Sequence, residues 1–521
     1  MRDPPVTVDT PAWARDAVFY QVFADRFASS ERVPKPGAME PWDAPPTTYG
    51  FKGGDLLGIA ERLPYLADLG INALYLTPIF QSASNHRYHT YDYFRVDPLL
   101  GGDDALRELL DRAHARGMRV VLDGVFNHTG RGFWPFHHIL ETGGASPYRD
   151  WFHLDDDVLA GGQRLTAYPP GDVATGASLG YQAWWGLPAL PKLNTDHHAV
   201  REYLFEVAEH WLRFGIDGWR LDVPGEIEDE SFWQTFRQRC RAVRPDAYLV
   251  GEIWEVAPDW LRGDRFDALM DYPLAVAILG FAGGSALDMD VVHGHHEYAR
   301  SLRPLDGPGF GARLVELLSA YDPDVVAVQL NLIGSHDAPR ALTVLGGDRD
   351  AMRLAILLQC TLPGAPCIYY GDEIGMEGGN EPASRGAFPW DPARWDAGLH
   401  AFVREVIRLR AAEPAMRHGS TIEIGALGPA FVFERRLGES GMVIGVNAGT
   451  DPVELRVAVP GVTSGRLAPV PLPGPGGDGD GEGDGEGDGD GQALAIEDGA
   501  ATVRLPPRAG RVYRVLHGSA D

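Results

Sequence analysis

Three carboxylates stand at the ends of apolar runs in this chain: Asp222 in GWRLDVP, Glu252 in VGEIW and Asp337 in LIGSHDAPR. Residues i and i+2 of a β-strand face the same way, so Arg220 and Asp222 project side by side. Opposite charges on a buried strand are costly unless they pair closely or work. Taken alone, the couple reads equally well as a structural ion pair. Other strand ends add Asp123 and His128 in DGVFNH, and His336 beside Asp337. Carboxylates gathered from separate strands repel one another, and each burial is costly, so chance rarely assembles them. With no clear metal-ligand set beside them, they point to glycosidic bond cleavage. In that chemistry one carboxylate attacks carbon, and a second, held protonated, gives its proton to the leaving oxygen.

Such groups need a scaffold whose strand ends share one mouth. Ala17–Phe23, Ala73–Ile79, Met118–Phe126, Ile216–Val223, Tyr248–Trp254, Phe266–Tyr272, Val325–Asp337 and Pro366–Gly375 are strand-like, and helix-period segments lie between several of them. Apolar strands separated by amphipathic helices predict a parallel sheet covered on both faces, and eight of them predict an α/β fold built on a (β/α)8 TIM barrel. The barrel is expected over 1–128 and 192–412. The intervening 129–191 is rich in Gly, Pro and aromatics, and is expected to form a protruding domain B after the third strand. Short alternating runs over 413–521 predict a C-terminal antiparallel β-sandwich. Within it, 474–491 alternates Gly with acids, which predicts a disordered loop rather than a calcium-binding repeat.

Acidic residues number 73 against 46 basic ones, a formal charge of −27. That balance repels phosphate backbones and anionic lipids, so neither nucleic acid nor membrane is an expected partner. The three cysteines, Cys240, Cys360 and Cys367, form no CxxC pair and read as free thiols in a reducing compartment. The N-terminus has no apolar h-region, and a cytoplasmic location is expected.

DGVFNH, GWRLDVPGEI, VGEIW and LIGSHDAPR resemble, in order and spacing, the four motif regions of the α-amylase superfamily, glycoside hydrolase family 13. LPKLN (Leu190–Asn194), GGDLLGI, HRYHTYDYF and GAPCIYYGDEIGMEGG resemble its cyclomaltodextrinase, neopullulanase and maltogenic amylase branch. The resemblance implies a retaining hydrolase of α-1,4-linked glucans, with cyclodextrins or maltooligosaccharides as substrates. Asp222 would be the nucleophile, Glu252 the general acid/base, and Asp337 the group that binds sugar hydroxyls and stabilises the transition state. Arg220 would keep Asp222 ionised by lowering its pKa, and would orient it. His128 and His336 would donate to hydroxyls, Tyr88 would stack on the attacked sugar, and Trp254 would line the site. Asp123 joins the sugar-binding set, and Glu226 is expected near the acceptor subsites.

The pattern departs from the branch in two places. The first strand begins near Ala17, so the branch's N-terminal β-sandwich is missing from the expected layout, and a monomer or an oligomer built on other surfaces is expected. After that strand, DRFASSERVPKPGAMEPWD lacks the clustered Asn/Asp oxygens that calcium needs, and Lys192 stands where calcium-dependent α-amylases carry an aspartate. No metal or cofactor is expected. The competing readings are a transglycosylase or trehalose-forming relative using the same triad, and a catalytically dead binding homologue. Retention of all three carboxylates disfavours the latter. His293, His295 and His296 read as solvated loop residues, and Trp184 and Trp185 stay outside the site list.

Overall fold

A computed structural model describes residues 8–160, 164–169, 179–474 and 492–518. Eight parallel strands form its centre: β1 (Phe19–Val22), β2 (Ala73–Leu76), β3 (Arg119–Gly124), β4 (Gly218–Leu221), β5 (Tyr248–Gly251), β6 (Ala268–Leu269), β7 (Leu330–Asn331) and β8 (Ala365–Tyr369). Neighbours pair in chain order, β8 returns to β1, and a parallel bridge from Met270 to Leu330 closes the ring. The expected barrel is therefore present, with one strand on each of the eight expected runs, the last beginning one residue before its run at Ala365. Every strand residue except Arg119 is buried, which is why the strands read as continuous apolar runs. Phe19, Tyr75, Val121, Tyr248, Val250 and Cys367 fill the barrel interior, while Tyr20, Leu74, Val120, Trp219 and Leu249 pack outward under the helices.

Long helices follow most strands: α1 (Leu56–Leu69), α2 (Gly102–His114), α3 (His198–Phe214), α4 (Glu230–Val243), α5 (Tyr272–Gly283), α6 (Gly307–Ser319), α7 (Arg349–Thr361) and α8 (Ala397–Ala412). Asp55, Asp229, Asp271, Asp348 and Asp396 each accept a backbone N–H at a helix start, so a single residue type punctuates much of the barrel. The sixth and seventh strands are far shorter than their apolar runs. In the latter, Asp322 accepts the Asp324 N–H at 2.9 Å and Pro323 opens a helical turn over Pro323–Val326, which consumes residues that read as strand.

After β2 the chain makes a hairpin, Phe80–Ser82 with Thr90–Val96, whose connection carries Tyr88. After β3 comes an excursion with a helix, Trp134–Thr142, and antiparallel bridges such as Phe152 to Leu193 and Ala183 to Pro191. Phe136 packs edge-on against Phe152 and Tyr181, with centroids 5.0 and 4.9 Å away. Residues 161–163 and 170–178 of this excursion, and 475–491 of the expected acidic loop, lie outside the described residues.

The C-terminal unit pairs a six-stranded sheet with a two-stranded one, Val453–Ala458 with Ala500–Leu505, around Val432, Val443, Val457, Val503 and Leu505. Two buried arginines complete the end of α7, and one of them, Arg435, joins the C-terminal unit to the barrel. Arg435, from the strand Ala430–Leu437, donates to the Thr361 carbonyl at 2.6 Å and to the Gly419 carbonyl at 2.8 Å. Arg410, from α8, donates to the carbonyls of Cys360 and Gly364 at 2.9 and 2.5 Å. All three cysteines are buried and unpaired. Among the described residues, no helix is long and apolar enough to cross a membrane.

Candidate active site

Parallel register assembles the site. Asp123 of β3 lies beside Arg220 of β4, and Arg220 beside Val250 of β5. One step further, Asp222 N–H donates to Gly124 O at 3.1 Å and Glu252 N–H to Leu221 O at 3.0 Å, carrying both acids just past the strand ends. Arg220 is the hub. Its Nη1 lies 2.9 and 3.0 Å from the two oxygens of Asp123 and 3.0 Å from Asp222 Oδ1, and its Nη2 lies 2.8 Å from Glu252 Oε2. The three carboxylates and the guanidinium are all buried. Asp222 Oδ2, by contrast, has no hydrogen-bond partner.

Val223 follows Asp222 with φ 36° and ψ 52°, a left-handed conformation that β-branched residues rarely adopt. The turn aims its N–H at Glu252 Oε2, 3.1 Å away, while Trp254 Nε1–H donates to Glu252 Oε1 at 3.2 Å. Trp254 lies flat on Tyr272, with centroids 3.5 Å apart.

Arg220 lowers the proton affinity of Asp222 as expected, but burial is the larger effect in this site. Burial pushes the Asp222 carboxyl up; Arg220 pulls it back, but the negative Glu252, Asp123 and Asp337 reinforce burial. Burial likewise raises Glu252 against the pull of Arg220, with Asp337 adding to the rise, and pushes Asp123 up to about 6. A single guanidinium cannot neutralise three carboxylates, so the cluster retains a proton more readily than free acids would.

Hydrogen bonds link two of the remaining expected residues, His336 and Tyr88, to Asp123 in a directed chain. Gln21 Nε2 donates to His336 Nδ1 at 2.7 Å; His336 Nε2 lies 2.5 Å from Tyr88 Oη, which donates to Asp123 Oδ2 at 2.8 Å. Burial keeps His336 neutral, with Arg385 and Arg220 acting in the same direction. The Tyr88 ring stacks on His336 at 5.4 Å and 4°. Asp337 is the most open of the triad, its side chain 30% exposed, and its Oδ2 lies 3.1 Å from His336 Nε2. His128 is buried and its pKa lowered to about 3, chiefly by desolvation; its Nε2 has no protein partner. Glu226 stands apart from the acid cluster, 44% exposed, and pairs with Lys192 Nζ of the LPKLN segment at 3.3 Å.

Several neighbours were not legible in the sequence. Arg385 donates to the His336 carbonyl at 2.8 Å and to Asp337 Oδ1 at 3.3 Å, and also pairs with Glu381. Tyr75 Oη donates to Asp123 at 2.7 Å. His295, expected to be solvated, instead places Nε2 2.9 Å from the Asp337 carbonyl and its ring beside Trp254, because it caps the helix His296–Ser301. His293 and His296 are exposed. Trp184 stacks on His128 and Trp185 on Trp184, at 5.1 and 5.0 Å, which brings both tryptophans to the edge of the site. No local signature marks any of these; only the histidine cluster and the WW pair stand out by composition.

The segment after β1 does not suit calcium. Asp55 Oδ1 accepts the Gly58 N–H at 2.7 Å, and its Oδ2 accepts the Ser30 N–H at 2.9 Å and Lys35 Nζ at 3.0 Å. The same ammonium donates to Leu99 O at 2.7 Å. A lysine cation thus occupies the oxygens that a divalent ion would need. Treatment with EDTA is expected to leave Tm and activity unchanged, since no native-state ligand is withdrawn. A Tm drop reversed by added calcium would contradict this.

The family model for the alpha amylase catalytic domain matches residues 21–401. A cyclomaltodextrinase of Geobacillus thermopakistaniensis is 42% identical over 453 residues, 86% of this chain and 71% of that enzyme. The crystal structure of Ttha1563 from Thermus thermophilus superposes with a TM-score of 0.84 at 46% identity, covering 96% of this chain and all (100%) of that one. The Nostoc punctiforme debranching enzyme, soaked with acarbose, gives a TM-score of 0.80 at 40% identity over 97% of this chain and 100% of its own. The chain belongs to the α-amylase family of glycoside hydrolases, on its cyclomaltodextrinase, neopullulanase and maltogenic amylase branch.

Proposed function

We propose that this protein is a retaining glycoside hydrolase that cleaves α-1,4-glucosidic bonds of cyclodextrins, maltooligosaccharides or related α-glucans. Hydrolysis of α-glucans follows from the family and the named activities of its relatives. The assignment of roles rests above all on the contrast between the two oxygens of Asp222: Oδ1 is fixed by Arg220, and Oδ2 is buried and unpartnered. A carboxylate anchored by one oxygen presents the other to the anomeric carbon.

In the first step Asp222 Oδ2 forms a bond to that carbon as the glycosidic C–O bond breaks, and Glu252 gives its proton to the departing oxygen. In the second, Glu252, now ionised, takes a proton from water, whose oxygen attacks the same carbon and releases Asp222. Two inversions retain the α configuration. The shared guanidinium supports this route, because it holds one oxygen of each carboxylate within 3.0 Å of the same group, and a retaining enzyme requires the two carboxyls at roughly 5–5.5 Å. Asp337, His336 and His128 would bind hydroxyls of the reacting glucose, and Tyr88, held on His336, would form the floor of that subsite. Glu226 and Lys192 would line the acceptor side. The buried thiols suit a reducing cytoplasm.

The reading is tested by NMR of the first products from maltotriose and β-cyclodextrin. The α-anomer is expected before mutarotation; β-maltose as the initial product would rule out double displacement. Comparing rates on β-cyclodextrin, pullulan, starch and maltotriose ranks the substrates.

A further inference from the structure

A separate cavity of about 410 Å³ lies on the barrel rim between the segments that follow β1 and β8, bounded by Trp42, Asp43, Arg62, Trp390, Asp391 and Arg394. None of these touches the acid cluster. Both tryptophans are anchored by their edges: Trp42 Nε1–H donates to Phe388 O at 2.8 Å, and Trp390 Nε1–H to Phe27 O at 2.6 Å. Trp390 is further wedged between Phe27 and Tyr65, with centroids 5.1 and 5.3 Å away. Rings fixed in this way lose little freedom when a ligand arrives.

The polar groups are only partly used. The guanidinium of Arg62 lies 4.0 Å above the Trp390 ring and has no hydrogen bond or ion pair among the described residues. Asp391 Oδ1 accepts the Ala393 N–H at 3.0 Å, which leaves the second oxygen for another donor. Arg394 pairs with Asp43. Two guanidiniums face two carboxylates, so the cavity carries no net charge to favour an anion or a cation. Since Arg62 covers the Trp390 ring, the Trp42 indole is the face left for a neutral polyol: pyranose C–H groups lie on it, while hydroxyls accept from Arg62 and donate to Asp391.

We propose that this cavity is a second α-glucan-binding site, one that holds a sugar segment outside the cleavage site. The proposal rests on the α-glucan reading above. In a barrel of this kind, segments that follow strand C-termini open on one rim, so the cavity shares its face with the acid cluster. The same post-β8 segment reaches both places: Arg385 contacts Asp337, and Trp390, Asp391 and Arg394 line the cavity. A polymer held here would raise the local concentration of its own scissile bonds, an advantage that a trisaccharide too short to span both places would not share.

The test compares wild type with Arg62→Ala, Trp42→Ala and the double variant. Soluble starch is the long probe and maltotriose the short one, with retention also measured by electrophoresis through starch-containing gels. The double variant is expected to lose retention and to raise KM on starch about fivefold or more, the scale of one lost stacking contact with its hydrogen bonds. Its kcat/KM on maltotriose should stay at the wild-type value, and far-UV circular dichroism should show it folded. Unchanged starch retention and KM would overturn the proposal, as would equal losses on both substrates in a folded variant. If Trp42→Ala fails to fold, Arg62→Ala, on an exposed helix face, carries the comparison alone. Wild type inactive on both probes would sink the α-glucan reading itself, which is a different result.

Discussion

Glu252→Gln is expected to lower kcat on maltooligosaccharides by about 10²- to 10⁴-fold, the usual contribution of a positioned proton donor. Asp222→Asn should lose at least as much, because the carbon–oxygen bond of the covalent intermediate can no longer form at Oδ2. The two losses differ in kind. A maltosyl donor with an acidic leaving group, such as a nitrophenol, needs no proton to depart, so Glu252→Gln should recover its first step on that substrate. Asp222→Asn should not, since better departure does not replace a missing nucleophile. Both side chains keep their size, and far-UV circular dichroism and Tm should report an intact fold. Near-wild-type turnover in either variant, or rescue by the activated donor in Asp222→Asn instead, would reverse the roles assigned to them.

Arg220→Lys should be nearly as damaging, and here stability falls with activity. One guanidinium serves Asp123, Asp222 and Glu252 from two nitrogens, with its side chain wholly buried. A lysine ammonium is a single point that cannot reproduce that fork, so at least one carboxylate is left buried without its cation. Breaking such a pair costs about 3–5 kcal/mol, read as a lower denaturant midpoint. Arg220 also lowers the proton affinity of all three acids, so weakening its contacts should raise it. The nucleophile must be ionised, and the acid limb of the kcat/KM profile should therefore move to higher pH. A variant with unchanged midpoint and unchanged acid limb would show that the hub is not needed.

The barrel and the carboxylates were legible in the sequence for the same reason. Strands buried on both faces are largely apolar, so a charged residue in or just after such a run stands out, as Arg220 and Asp222 do in GWRLD and Glu252 after YLVG. Arg385 has no such setting; it reaches Asp337 from a loop 48 residues later in the chain, and only tertiary folding brings them together. His295 looked solvated because its hydrogen bond to the Asp337 carbonyl depends on a turn that periodicity does not reveal. The shortening of β7 was likewise hidden, because Val325 and Val326 suit strand and helix alike until Asp322 and Pro323 open a helical turn. The proton affinity of Asp222 is a further case. Adjacent letters show the attraction of Arg220, but desolvation depends on everything packed around the pair.

The stitching at the end of α7 has a consequence for how the chain can be divided. A helix leaves its last carbonyls without internal partners, and α7 ends in a place that water does not reach. The donors that complete it come from α8 and, through Arg435, from a strand beyond the barrel. The catalytic unit therefore borrows one of its helix caps from its neighbour. Cutting the chain between them would strip Thr361 of that cap, and the arginine in turn would lose the carbonyls that make its burial tolerable. The two units are thus parts of one cooperative structure, and their boundary marks a change of architecture rather than a place where either becomes independent.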